Sequence, residues 1–307
     1  MILTILFLKQ QFISFRQGIS IIKKRSFKKI LHTPSFDSNP SASVEIHSLI
    51  SHNDISMYLL AIKSFLRFYS DVSLVVHDDG TLTKKDINLL QEHLKNVRVI
   101  NKESADIKIK SFLKDKTNCM NFRQSYINSM QVFDYYLFSN KNKIISFDSD
   151  ILFLKEPKDI IDWIKNQNKE VLYNAESDLP HNILFEQENI PELKNLNCGF
   201  MCFYKEFMDY KLIESLLKKV RDKQKEERLW SQAYFSAIFK IKNIETKALP
   251  KDKYRVYLNK KKQAEHVKVD GKEVMIHFVN TTRFSKGIYL KLANKVIKEL
   301  ETRECMS

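Results

Sequence analysis

From residue 44 onward the chain sets short, continuous apolar runs against longer stretches with helical periodicity. Residues 44–50 (VEIHSLI) predict a strand, 54–69 an apolar helix, and 72–77 a second strand that stops at Asp78-Asp79-Gly80. A helix is expected over 83–96, with Thr83 as N-cap and Ile87, Leu90 and Leu94 on one stripe. Residues 97–100 give a third strand. Strands alternating with helices of this length mean βαβ units and a mostly parallel sheet. The pattern continues with two helices across 105–139, meeting near Asn118, and a strand over 143–147. Beyond Pro157 the regularity loosens. Helices are expected over 157–166, 207–223, 227–240 and 288–300, and strands over 170–174, 198–204, 241–249 and 265–276. The last of these strands reads as a hairpin turning at Asp270-Gly271.

One apolar run carries more chemistry than the others. In Ile144-Ile145-Ser146-Phe147-Asp148-Ser149-Asp150-Ile151-Leu152-Phe153, two carboxylates one residue apart interrupt the apolar sequence. Side chains two apart lie on the same face of a strand, so Asp148 and Asp150 can point at one spot. Left unpaired at a buried strand end they would repel and shift each other's pKa. A divalent cation shared with a phosphate relieves that repulsion, because hard cations take oxygen ligands. In open α/β sheets ligands bind at the carboxyl ends of the strands, where these residues fall.

Composition narrows the choices. A chain of 307 residues with 43% hydrophobic residues, 21 Phe and 12 Tyr buries a substantial core and is not a disordered one. Only five glycines occur, and neither GxGxxG nor GxxxxGK[ST] is present, which removes the usual dinucleotide and P-loop readings. Cys119, Cys198, Cys202 and Cys305 include no CxxC pair, so they read as free thiols rather than zinc ligands.

The net charge of +14 is unevenly spread. Residues 1–31 hold Lys9, Arg16, Lys23, Lys24, Arg25, Lys28 and Lys29 and no acid, interleaved with apolar residues. Such a basic amphipathic segment suits a helix lying on an anionic membrane surface, at about 1 kcal/mol per cation. No apolar run reaches the length needed to span a bilayer, and Met1–Leu8 lacks the flanks of a secretory signal. The domain plan is therefore a basic N-terminal segment and linker over 1–42, followed by an α/β domain over 43–303.

The run IISFDSDILF resembles the DxD segment of GT-A-fold glycosyltransferases, the nucleotide-diphospho-sugar transferase superfamily, and most of all the family 8 type. Three further segments resemble that family in the same order. They are Ser73–Gly80 (SLVVHDDG), Asn197-Cys198-Gly199-Phe200-Met201, and His277 to Arg283 (HFVNTTR). The resemblance covers about residues 44–300. It implies a GT-A (Rossmann-like) sheet flanked by helices and transfer of a sugar from a nucleotide-sugar donor to a glycan, glycolipid or protein acceptor. It also implies that Asp150, and Asp148 directly or through water, hold Mn²⁺ or Mg²⁺ against the donor diphosphate, with His277 as third protein ligand.

The same resemblance places Asp78 and Asp79 beside the base or ribose, Ser149 and Arg123 at the donor, and Asn197 and Gly199 along the sugar pocket. Gln232 falls where relatives carry an acidic or amide residue near the reacting carbon. Asn280 stands where the family usually has Gly, and Arg283 where it has Lys. The phosphate role is therefore divided between Arg283 and Lys286. The enzyme would work on the cytoplasmic side, with its N-terminus docked at the inner membrane face.

Two other functions compete. A HAD-type phosphatase also opens with an apolar strand and DxD, but it wants Thr or Val two residues past the second Asp, where Leu152 stands. It also wants a later Gly-Asp pair, and no glycine here is followed by Asp. A basic nucleic-acid-binding protein fits a pI near 9.4. Half of the excess charge lies in the first 31 residues, however, and no recognition motif appears, so nucleic acid is not the expected partner.

Overall fold

The computed structural model describes residues 27–176, 183–193, 195–220, 230–257, 269–279, 282–283 and 287–302. Its strands are β1 (Phe36–Asp37), β2 (Val44–Ile50), β3 (Ser73–Asp78), β4 (Leu94–Lys95), β5 (Arg98–Ile100) and β6 (Lys143–Phe147). There follow β7 (Ile151–Phe153), β8 (Val171–Ala175), β9 (Leu196–Tyr204), β10 (Thr246–Ala248), β11 (Tyr254–Tyr257) and β12 (Met275–Phe278). The α-helices are α1 (Ile55–Leu66), α2 (Lys84–His93), α3 (Lys102–Phe112), α4 (Thr117–Ser125) and α5 (Met130–Phe138). They continue with α6 (Lys158–Lys165), α7 (Ile183–Gln187), α8 (Tyr210–Val220), α9 (Trp230–Ile241) and α10 (Ile288–Glu301).

Seven strands form the central sheet in the order β10-β8-β9-β6-β2-β3-β5. Every neighbouring pair is parallel except those made by β9, which runs antiparallel to both β6 and β8. The sheet is buried on both faces, as its near-continuous apolar strands require. Alternate residues feed two cores. Ile145, Phe147, Leu172, Phe200 and Cys202 pack with α1, α6 and α10, whereas Ile144, Val171, Tyr173, Met201 and Phe203 pack with α3, α4, α5, α8 and α9. The expected mixed α/β architecture with a mostly parallel sheet and flanking helices is what the chain adopts. A second small sheet, β11-β12-β7, stands at the end of β6.

Local signals explain the elements that were expected. Thr83 and Asp86 form a capping box on α2: the Thr83 hydroxyl accepts from Asp86 N–H, and the Asp86 carboxylate accepts from Thr83 N–H at 2.7 Å. Distant contacts explain the corrections. The region 105–139 is three helices rather than two: the expected junction near Asn118 is present, and Glu214 of α8 caps the start of α4 there from outside. Its carboxylate accepts from Asn118 N–H at 3.1 Å and from Cys119 N–H at 2.8 Å, satisfying donors that a continuing helix would have used. A second break follows at Tyr126, whose extended backbone leads into a short 3₁₀ turn, Ile127–Ser129, ahead of α5.

The hairpin at Asp270-Gly271 is also revised. Gly271 does turn, at φ +83°, but β12 takes its partners from elsewhere, running parallel to β11 and antiparallel to β7. Residues 265–268, the other arm, lie outside the described residues, as do residues 1–26 of the basic segment.

Residues 27–43, read in sequence as the end of the basic segment and a linker, pack onto the domain. Ile30 is fully buried, β1 pairs with β4, and the buried Lys63 ammonium donates to the carbonyl of Pro34 at 2.6 Å and the hydroxyl of Thr33 at 3.0 Å. Cys119 and Cys202 are buried free thiols, as expected.

Beneath the sheet, Glu45 of β2 is buried and accepts from Ser139 Oγ at 2.7 Å, Asn140 N–H at 2.8 Å and Arg98 at 3.0 Å, with His47 Nε2 at 3.3 Å. Burial alone would raise its pKa. The hydrogen bonds from His47 and Ser139 and the Arg98 charge win, and hold it at about 2. A carboxylate depressed in the folded state stabilises above its unfolded pKa near 4.5 and loses that contribution as pH falls toward about 2. Glu45→Gln is therefore expected to cost about 2 kcal/mol at pH 7. Urea denaturation of both proteins should show the gap narrowing between pH 4.5 and about 2. A gap independent of pH would mean that the ionised carboxylate does not matter.

Candidate active site

The site is built where three backbone segments converge. β6 ends at Phe147, which pairs with Phe200 of β9, and Asp148 N–H then donates to Gly199 O at 2.8 Å. After Ser149 and Asp150 the chain re-enters extended structure as β7. Antiparallel pairing sets Ile151 opposite His277, and Phe278 N–H donates to Asp150 O at 3.0 Å. Sheet register thus delivers the imidazole to the two acids. His277 Nε2 lies 3.0 Å from Asp150 Oδ1 and 3.6 Å from Asp148 Oδ2, and ligand atoms of all three residues fall within 4.8 Å of one another.

Gly199 makes this approach possible. A Cβ at that position would stand 2.2 Å from His277 Cε1 and 2.6 Å from Asp148 Oδ2, distances that real Cβ atoms do not tolerate.

A cavity of about 460 Å³ opens over the three residues. Leu49, Ser51, Asp54 and Asp79 line it from the ends of β2 and β3, Tyr126, Asn128 and Gln131 from the break before α5 and its first turn, and Cys198, Ser231 and Gln232 from β9 and α9. Among the described lining residues Asp54, Asp79, Asp148 and Asp150 are acids and His277 is the one base.

Charge governs the floor. Burial pushes Asp148 up to about 6, and the Asp150 charge adds to that against the pull of His277. Burial would raise Asp150 as well, but His277 and then Arg283, whose Nε lies 3.6 Å from Asp150 Oδ2, bring it below the usual carboxylate range. His277 is displaced upward: burial opposes its charge, and the Asp150 and Asp148 carboxylates outweigh burial.

The residues fit a divalent cation. Asp150 Oδ1 is buried and, among the described residues, is approached only by His277 Nε2, at 3.0 Å. Such an orphaned oxygen, a second carboxylate and an imidazole nitrogen are the donor set of a Mn²⁺ or Mg²⁺ site shared with substrate oxygens. Asn197 completes the surroundings. Its Oδ1 accepts from Gly199 N–H at 3.0 Å and lies 3.0 Å from His277 Nδ1, so Nδ1 carries the proton and Nε2 is directed at the acids.

The structure brings together Asp79, Asp148, Asp150, Asn197, Gly199, Gln232 and His277, all of which line the cavity. Arg283 stands just behind Asp150, and Lys286 lies outside the described residues. Ser149 does not line the cavity. Two placements are corrected. Asp78 is 3% exposed and turns inward, accepting from Gly80 N–H at 2.7 Å and Leu82 N–H at 3.0 Å, so it shapes the turn while Asp79 faces the cavity. Arg123 is not at the cavity; it forks onto both oxygens of buried Asp134, at 2.6 and 2.7 Å.

Sequence reasoning missed Gln131, which donates to Asp148 Oδ1 at 3.1 Å, and Glu176, which accepts from Asn197 Nδ2 and Gln232 Nε2, each at 3.0 Å. Nothing local marks Gln131. Glu176 carried a usable signal, because an acid just past an expected strand obeys the rule that singled out Asp148 and Asp150.

This fold is the GT-A fold of glycosyltransferases. Mouse xyloside xylosyltransferase 1 superposes with a TM-score of 0.53 at 16% identity, over 80% of this chain and 99% of that one. Galactosyltransferase LgtC, solved with donor and acceptor sugar analogues, gives 0.52 at 11% identity, over 83% of this chain and 95% of that one. The bifunctional glycosyltransferase WbbM gives 0.56 at 12% identity over 88% of this chain, which spans about half of its length (53%). No family model matches the sequence, and no curated protein matches it. The family 8 resemblance read from the motifs agrees with these neighbours in fold.

Gly199→Ala should force His277 and Asp148 apart. Mn²⁺ binding with UDP present, followed by electron paramagnetic resonance, is expected to weaken about tenfold or more. The thermal midpoint should drop by only a few degrees. Unaltered affinity would show that the imidazole has room to retreat.

Proposed function

We propose that the protein is a metal-dependent glycosyltransferase that moves a sugar from a nucleoside-diphosphate-sugar donor to a glycan, glycolipid or protein acceptor. One observation carries this reading: a cavity lined by four acids converges on a buried, unsatisfied carboxylate oxygen beside an imidazole. A diphosphate would be repelled from such a cavity unless a cation came with it. Asp148, Asp150 and His277 would hold Mn²⁺ or Mg²⁺, which when bound neutralises the charge growing on the departing nucleoside diphosphate.

The chain's own residues supply the rest. Arg283 contributes positive charge on the phosphate side, and Lys286, three residues on in sequence, is the second candidate for that role. Asp79, Leu49 and Ser51 bound the end of the cavity that takes base and ribose, while Asn197, Gly199 and Gln232 flank the donor sugar. Gln232 is oriented for this, since its Oε1 accepts from Cys198 N–H at 3.2 Å and its Nε2 donates to Glu176. Gln131 holds Asp148 from the opposite wall.

The basic segment over 1–31 suits docking on an anionic inner leaflet, where a membrane-borne acceptor would be presented. The fold shared with xylosyl- and galactosyltransferases supports the same chemistry.

The test is a screen of UDP-, GDP- and CMP-sugars for nucleotide release. Wild type should turn over at least one donor, lose that turnover to a chelator, and regain it with Mn²⁺ or Mg²⁺. Asp150→Ala should be slower by about a hundredfold or more. Equal turnover by the two proteins would end the proposal.

A further inference from the structure

Behind the cavity floor lies a hydrogen-bond chain that starts from Glu176, an acid that the proposed chemistry places against neither donor nor metal. Glu176, the residue after β8, accepts from Asn197 Nδ2 through Oε2 and from Gln232 Nε2 through Oε1, both at 3.0 Å. Asn197 passes the contact on: its Oδ1 faces His277 Nδ1 at 3.0 Å, and His277 Nε2 faces Asp150 and Asp148. A parallel branch runs from Gln232 Oε1 to Cys198 N–H at 3.2 Å.

Such a chain has a direction. An ionised carboxylate only accepts, so both carboxamides must turn their NH₂ groups toward it and their oxygens away. For Asn197 that leaves only an oxygen to meet His277, which must answer with Nδ1–H. The proton on Nδ1 is thus fixed by Asn197, which leaves Nε2 as the nitrogen whose lone pair a cation held by the acids would take. Gly199 N–H, a donor only, imposes the same direction on Asn197 from the other side at 3.0 Å. Reverse the carboxamide and two donors collide at Gly199 while two acceptors collide at Glu176, and the proton moves to the nitrogen that should bind metal.

We infer that Glu176 is a positioning residue of the metal site: its carboxylate sets the direction of the Asn197–His277 hydrogen bond and so keeps His277 Nε2 available as a ligand. This inference rests on the proposed metal-dependent reading for its consequence, although the direction of the chain is a property of the protein alone. It also explains why an acid sits beside an already acidic cavity. The role needs a group that cannot donate, and a carboxylate satisfies two carboxamides at once.

Two measurements on the full-length protein test it. The first is the ¹⁵N–¹H correlation spectrum of the His277 ring without metal, scored for the proton on Nδ1 that faces Asn197. Wild type should show Nδ1–H, and Glu176→Leu should lose a substantial part of it. The second is Mn²⁺ affinity with UDP present. Glu176→Leu and Asn197→Asp should each bind about tenfold more weakly or worse, the latter because it sets two carboxylates face to face.

The double variant E176Q/N197D is the decisive one. There the introduced glutamine donates through its NH₂ to the introduced aspartate, and its carbonyl oxygen accepts from Gln232. The new carboxylate still accepts from His277 and Gly199, so affinity should return to within about threefold of wild type. A merely structural loss would not be repaired by a second substitution. Wild-type affinity in Glu176→Leu, an undiminished Nδ1–H signal, or a double variant no better than the singles would each overturn the inference. If wild type bound no Mn²⁺ while the Nδ1–H signal fell as expected, the metal reading would fail and the positioning role would stand.

Discussion

Two carboxylates aimed at one buried point are the constraint around which this structure is arranged. At a separation near 4 Å and an effective dielectric of about 20, each charge pair is worth about 4 kcal/mol, several times the net value of a hydrogen bond. Repulsion on that scale would open the turn between β6 and β7 if nothing opposed it. His277 and Arg283 supply the opposing charge, and backbone bonds from Asp148 to Gly199 and from Phe278 to Asp150 lock the turn from both sides. The floor therefore rests on sheet register rather than on loop conformation. That suits a site whose ligand atoms must stay within a few tenths of an ångström.

The same constraint orders the surroundings outward. His277 needs a defined tautomer, which calls for an acceptor at Nδ1, and Asn197 supplies it. Asn197 needs its own orientation fixed, which Gly199 N–H and Glu176 provide. Gly199 has to be glycine because the imidazole occupies the space a side chain would fill. Each of these residues is explained by the one before it, and the dependence traces back to the two acids.

Much of this was visible in the amino-acid pattern, for physical reasons that can be named. β3 and β6 declare themselves as apolar runs because a parallel sheet covered on both faces needs no polar side, whereas β2 carries Glu45, His47 and Ser48 buried within it. α2 declares itself because its cap is made by residues three apart, Thr83 and Asp86. Asp148, Asp150 and His277 end or follow such runs, so the strand ends that hold them were predictable. What stayed hidden depends on contacts between residues far apart in sequence. Glu214 caps α4 from 96 residues away, and no local signal marks the second break at Tyr126, so the stretch from Asn118 to β6 reads as one helix. The consequence is functional, since the break exposes Tyr126 and Asn128 and starts α5 where Gln131 can reach Asp148. The place of Arg123 is hidden for the same reason: its partner Asp134 lies on the next helix, beyond a turn that a two-helix reading does not contain. Asp78 differs, because its Asx turn into Gly80 is a local signal outweighed by the resemblance.

A protein with net charge +14 that lines its described cavity with acids presents opposite fields at two ranges. At the scale of the whole molecule the positive charge favours the approach of any polyanion. Within the last few ångströms the acids reverse that preference, and only an anion accompanied by a multivalent cation gains by entering. Screening sharpens the separation, because exposed lysines lose their influence within about 8 Å at physiological salt while buried charges do not. A surface that simply bound phosphate backbones would carry its cations into the concave face. Here Arg283 sits behind Asp150 instead, placed to join a cation and a diphosphate but already engaged with a carboxylate. That division of labour supports the proposed reading, in which a small diphosphate ligand arrives with metal.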